Sequence, residues 1–129
     1  MSVIKTTQAY AYIIRKCITS IPQQCKITKE LGSSTQKKYA FQFAQDISRE
    51  LINILNIPIT INGTNNIPQN ESILYVCNHQ GNFDSLVLIA TSPLPIRFIS
   101  KKEVKKIPII RSWMTLMGCL FIDRKTKIP

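Results

Sequence analysis

The 129-residue sequence predicts an α/β fold: an N-terminal pair of amphipathic helices, then a β-α-β-α-β unit built on a parallel sheet. Three observations lead there. Up to Leu55, apolar residues recur every three or four positions, the period of a helix packed on one side. After Pro58 that period gives way to short apolar runs rich in β-branched residues. Between those runs lie helical stretches punctuated by Pro and Gly. The length suits one domain, on the small side for a three-layer architecture.

The first helix is read from Ile4, Thr7, Ala11, Ile14, Ile18 and Ile21, which share one face with Lys5, Arg15 and Lys16 off it. Pro22 is expected to stop it. The segment QQCKITKELGSST (23–35) is polar, contains Gly32 and ends in hydroxyl residues suited to an N-cap. A second helix is predicted from about Gln36 to Leu55, with Ala40, Phe43, Ile47, Leu51 and Ile54 as its apolar stripe. Its opposite face carries Lys38, Gln42, Gln45 and Arg49. Ordinary packing accounts for both stripes, and so does a basic amphipathic pair resting on an anionic membrane surface. Residues 1–57 are therefore taken as an N-terminal helical region and residues 58–129 as an αβ domain.

ITING (59–63) reads as a short strand. SILYVC (72–77), apolar without alternation, reads as a strand covered on both faces. DSLVLIATS (84–92) is a helix with Asp84 in its first turn, broken by Pro93 and Pro95. IRFIS (96–100) is a second buried strand. KKEVKKIPIIRSWMTLMG holds a helix with Pro108 near its first turn and Gly118 at its end. CLFID (119–123) is a third strand, followed by the basic tail RKTKIP.

The net charge of +10 is unevenly spread. Residues 1–38 carry seven Lys/Arg against one Glu, residues 39–96 one against four acids, and residues 97–129 nine against two. Two basic ends around an acidic middle favour an anionic partner. No recognised nucleic-acid motif is present, and the aromatics do not interleave with the basic residues, so nucleic acid is disfavoured. The uncharged stretch 51–70 holds six Asn and two Pro and does not suit hydrocarbon; membrane contact is expected to be peripheral. The four cysteines show no CxxC pairing and no secretory signal is visible, which favours a reduced, cytoplasmic setting. With one His, no metal site is expected.

The polar patch NHQGNFD (78–84) falls between the apolar runs SILYVC and SLVLIA. In a parallel α/β sheet, ligands bind where the carboxyl ends of strands give way to loops. His79 in the turn and Asp84 at the helix start can meet there, with Gly81 giving the turn its freedom. A carboxylate on one ring nitrogen fixes the imidazole tautomer and leaves the other nitrogen as a general base. HxxxxD alone is a weak signal and reads more readily as a capping aspartate beside a hydrogen-bonded loop histidine.

NHQGNFD followed some forty residues later by GCLFIDR (118–124) resembles the glycerolipid acyltransferases of the 1-acylglycerol-3-phosphate type, with their NHxxxxD and G-x-(I/L)-F-I-D-R motifs. FISKKEVKKIP (98–108) resembles the intermediate segment of that family. The likeness covers roughly residues 58–125. It implies a glycerol-3-phosphate acyltransferase-like αβ domain and transfer of an acyl group from a thioester to lysophosphatidate or another glycerol phosphate acceptor. It further implies His79 as catalytic base, Asp84 as its partner and Arg124 as a phosphate ligand, with Asn78 and Asn82 holding the turn or touching substrate. Arg124 also reads as a solvated residue ending a strand. Asp123 is expected to be structural, and Gly81 stands where the family often has Ser.

No cofactor is expected to stay bound; acyl-CoA or an acyl carrier protein thioester would be the co-substrate, and the membrane surface the working place. The family's Glu-Gly-Thr-Arg motif is absent from the 129 residues. The chain is thus expected to be a truncated form of weak or no activity. A non-catalytic lipid-surface remnant of the same fold is the alternative.

Overall fold

The computed structural model describes residues 3–30, 33–69, 71–78, 81 and 83–123. Five α-helices and a two-stranded ladder make up the regular structure of these residues: α1 (Val3–Thr19), α2 (Ile21–Glu30), α3 (Ser33–Leu55), α4 (Asp84–Thr91), β1 (Ile99–Lys101), α5 (Pro108–Met117) and β2 (Leu120–Ile122). Short 3-10 turns occupy Thr64–Asn66 and Lys102–Lys106.

The C-terminal half follows its local punctuation. α5 begins with Pro108, whose missing N–H is no loss in a first turn, and ends at Gly118 with φ 80. There the Gly118 and Cys119 amides donate to the Thr115 and Met114 carbonyls, both at 2.9 Å, closing the helix. β1 and β2 pair in parallel with Ile99 opposite Leu120 and Lys101 opposite Ile122. α5 supplies the crossover that parallel strands require.

The N-terminal half departs from expectation. Pro22 does not end helical structure: the chain turns a corner at Ser20, whose carbonyl receives the Gln24 amide at 2.9 Å, and Pro22 sits in the first turn of α2. The polar segment after it is helical to Glu30. α3 then runs 23 residues and closes through Asn56 at φ 54, with the Ile57 amide on the Ile52 carbonyl at 3.1 Å.

α1 packs with the face that its stripe did not mark. Ala9 is buried with Leu51 and Leu55 of α3, with Tyr12 and Ile13 against them. The predicted stripe points outward, Ile4, Ile14, Ile18 and Ile21 being 69, 58, 61 and 46% exposed. A helix with apolar groups on two sides buries the one that fits its neighbour, and periodicity does not say which.

The larger core joins Ile27 of α2, Ala40 and Phe41 of α3, Ile96, Trp113 and Met117 of α5, and Cys119. It draws on residues from both sides of position 57.

Residues 59–63 and 72–78 enter no ladder, so the β-α-β-α-β arrangement reduces, among the described residues, to one parallel pair. Tyr75 packs against the larger core, while Leu74 and Val76 are 80 and 86% exposed. The run expected to be covered on both faces has cover on one. Ile99 and Leu120 also face outward. A strand needs partners distant in sequence, and apolar content alone does not supply them.

Candidate active site

Asp84 is the first residue of α4, and its carboxylate folds back over the preceding turn. Its Oδ2 accepts the Gly81 N–H at 2.9 Å, and its own N–H donates to the Gly81 carbonyl at 3.2 Å. The turn is thus locked from both ends, and a negative side chain stands where a helix amino terminus favours one. Among the described residues, a Cβ at Gly81 would meet only Asp84 Oδ1, at 3.8 Å. Asn78 is exposed at the start of the patch. His79, Asn82 and Arg124 lie outside the described residues.

α4 is held at its other end by α3. Gln45 Nε2 donates to the carbonyls of Ile89 and Ser92 at 3.1 and 2.9 Å, and Arg49 Nε to that of Ala90 at 3.0 Å. The last carbonyls of a helix lack intrahelical donors, and a cation there also meets the negative end of the helix dipole. Gln45, expected on the open face of α3, is buried for this reason.

Between α1, α3, α4 and α5 lies a cavity of about 690 Å³. Asp84, Ser85 and Cys77 contribute polar groups to its lining. Its walls are mainly apolar: Ile13, Phe43, Ile47, Leu51, Leu88, Trp113 and Met117 among them. Phe43 and Trp113 stack with ring centroids 3.9 Å apart and 14° between planes. The Trp113 indole N–H donates to Ser20 Oγ at 3.2 Å, and that hydroxyl donates to the Cys17 carbonyl at 3.0 Å, so the corner between α1 and α2 is tied to α5. Burial pushes the Cys17 thiol up, and Cys119 likewise, against a smaller lowering from the Phe98 amide bonded to its sulfur. Among the described residues no cluster of three His, Cys, Asp or Glu side chains offers a metal seat.

At the carboxyl end of β2, Asp123 pairs with Lys102, which follows β1. This hydrogen bond holds the Lys102 ammonium above its ordinary range and ties the two strand ends together. The sequence model of the Acyltransferase family matches residues 58–128, more than half of the chain.

The chain belongs to the Acyltransferase family.

Three curated acyltransferases are similar to it. A 1-acyl-sn-glycerol-3-phosphate acyltransferase of Borreliella burgdorferi is 27% identical over 73 residues, 57% of this chain and 29% of that protein. Probable 1-acyl-sn-glycerol-3-phosphate acyltransferases of Mycoplasma pneumoniae and Mycoplasma genitalium are 34% identical over 77 residues and 38% over 73. These cover 56 and 52% of this chain and 28 and 26% of the relatives. The chain therefore spans under a third of the length of these acyltransferases. No solved structure matches it.

Of the residues marked in the acyltransferase sequence, the structure describes Asp84 and Asn78, and puts Asp84 on the cavity wall. It adds Gln45 and Arg49, which position the Asp84 helix, and the Phe43–Trp113 pair that walls the cavity. A signal for Gln45 was present: Ala44 and Ser48, both small, lie one to three residues away and permit close approach of another helix. Among the described residues no helix is long and apolar enough to cross a membrane.

Proposed function

We propose that this chain serves acyl transfer from a thioester, carried by coenzyme A or acyl carrier protein, to the free hydroxyl of lysophosphatidate. The observation that carries the reading is the Asp84 carboxylate, fixed by the Gly81 amide, on the wall of a largely apolar cavity of about 690 Å³. That volume lies within the range of about 300–1,000 Å³ usual for small-ligand sites. Each methylene buried there contributes about 0.8 kcal/mol to holding an acyl chain. The names of the relatives support the same acceptor.

In this reading His79 takes the hydroxyl proton as that oxygen attacks the thioester carbonyl. Asp84 stabilises the imidazolium, and the departing thiolate receives the proton. Arg124 engages the acceptor phosphate through its planar fork of donors, and Asn78 and Asn82 hold the turn or touch substrate. No permanently bound cofactor enters. Residues 1–57 act as a peripheral anchor on the cytoplasmic side of the membrane. The outward face of α1, with Ile4, Ile14 and Ile18 exposed and Lys5 and Arg15 flanking it, supports that contact.

The test is phosphatidate formation from labelled acyl thioester and lysophosphatidate by the purified chain. Turnover should fall ~10²–10⁴-fold in His79→Ala, the usual worth of a positioned base. Equal product from wild type and His79→Ala would refute the assignment. Thioester binding, seen by Trp113 fluorescence, with no product from either would favour the non-catalytic remnant.

A further inference from the structure

The two basic stretches of the sequence meet at a point that acyl transfer does not use. Gly118 lies between α5 and β2 with φ 80. A Cβ on it would stand 3.4 Å from Lys37 Cε, 3.5 Å from Arg97 Cδ and 3.6 Å from Arg97 Nε. Lys37 comes from the second turn of α3, and Arg97 lies two residues before β1. The end of the Lys37 stem and the guanidinium Nε of Arg97 thus stand over the same bare glycine, which brings the two charged ends near one another. Lys37 is half-buried and Arg97 exposed, and among the described residues neither has a hydrogen-bond or carboxylate partner.

Among the described residues, neither side chain hydrogen-bonds the end of α5. Its carbonyls attract a cation, but those of Met114 and Thr115 are already taken by the Cys119 and Gly118 amides. Two like charges side by side repel, and an anion between them removes the repulsion. Arg offers a fork of donors and Lys a mobile point charge, the pair of chemistries that phosphate oxygens accept. The place is also separate from the second motif. Arg97 and Gly118 precede their strands, whereas Asp123 of that motif follows β2, at the opposite end of the parallel ladder.

We propose that Lys37 and Arg97 form a second phosphate-binding site over Gly118, for a phosphate borne either by an anionic phospholipid headgroup or by a soluble compound. The proposal does not rest on the acyl-transfer reading and stands or falls apart from it.

The test follows thermal unfolding of the full chain by Trp113 fluorescence, in inorganic phosphate and in chloride at matched ionic strength. A ligand that binds only the folded state raises the midpoint in a saturable way. The expected result is a phosphate-specific rise whose half-saturating concentration increases about tenfold or more in Lys37→Gln/Arg97→Gln. It should be kept in Lys105→Gln/Lys106→Gln, which removes the same charge from exposed positions of the Lys102–Lys106 turn. Should the first double variant not fold, Arg97→Gln alone carries the comparison. The source is read from sedimentation with phosphatidylcholine vesicles containing phosphatidylglycerol. A selective loss of binding in Lys37→Gln/Arg97→Gln, with competition by inorganic phosphate, assigns the headgroup. Equal binding by the two double variants assigns a soluble phosphate. Equal effects of phosphate and chloride, or equal phosphate responses in the variants, would overturn the site; so would a loss of stability in Lys37→Gln/Arg97→Gln with the phosphate response intact, which marks a helix cap.

Discussion

Replacing Gln45 by Leu should loosen the helix that presents Asp84. The side chain is 6% exposed, and its amide nitrogen serves two carbonyls, those of Ile89 and Ser92. A net hydrogen bond contributes about 0.5–1.5 kcal/mol, and a buried group left without a partner costs about 1–3 kcal/mol. Leucine keeps the volume but no donor, so both carbonyls lose their partner. Partial access to water at the end of α4 places the expected cost at about 2–4 kcal/mol. Gln42→Leu is the control: on the same helix, Gln42 bonds only Asp46 at an exposed site, where substitutions usually change stability by less than about 0.5 kcal/mol. Urea unfolding followed by the fluorescence of Trp113, the single tryptophan, gives both values. Hydrogen exchange should show faster opening of α4 in Gln45→Leu and unchanged exchange in α5. A cost for Gln45→Leu no larger than that of Gln42→Leu would refute the account of how α4 is held.

Other outcomes follow from burial and charge. Iodoacetamide should label the exposed Cys25 and Cys77 well before Cys119, because burial raises the Cys119 thiol and lowers its thiolate fraction at a given pH; peptide mass spectrometry reads the order. Raised thiols also keep their protons in the folded chain after the unfolded chain has lost them. Their contribution is full below the unfolded thiol range of about 8.5 and declines above it, so the unfolding midpoint should fall as pH rises through that range. Ile14→Asp/Ile18→Asp should weaken sedimentation with anionic vesicles and leave the unfolding midpoint nearly unchanged, since both side chains face outward. Leu120→Lys, on the uncovered face of the ladder, should reduce self-association in light scattering without unfolding the chain.

The parts legible in the sequence are those fixed by local chemistry. Pro108 and Gly118 bound α5, and Asp84 opens α4, because first turns and left-handed ends select those residues whatever surrounds them. α1 was legible as a helix but not in its orientation, since the choice between its two apolar sides is made by Leu51 and Leu55, some forty residues away. Gln45 looked like a surface residue: the small Ala44 and Ser48 beside it signal that another helix comes close, but not that the carbonyls of Ile89 and Ser92 end there. SILYVC has strand composition, yet pairing and cover come from distant chain. The cavity is lined by residues of four helices and of β1, far apart in the chain, so no local pattern shows it. At the candidate site the motif spacing marked Asp84, and the structure adds its lock on Gly81; His79, Asn82 and Arg124 lie outside the described residues.

His79 is the single histidine, so its ring protons can be followed by NMR without ambiguity. Titrating it in wild type and in Asp84→Asn asks whether imidazole and carboxylate share a corner. A nearby carboxylate favours the imidazolium, so the midpoint should drop when Asp84 loses its charge. Superimposable titration curves would leave the acyl-transfer assignment without its base.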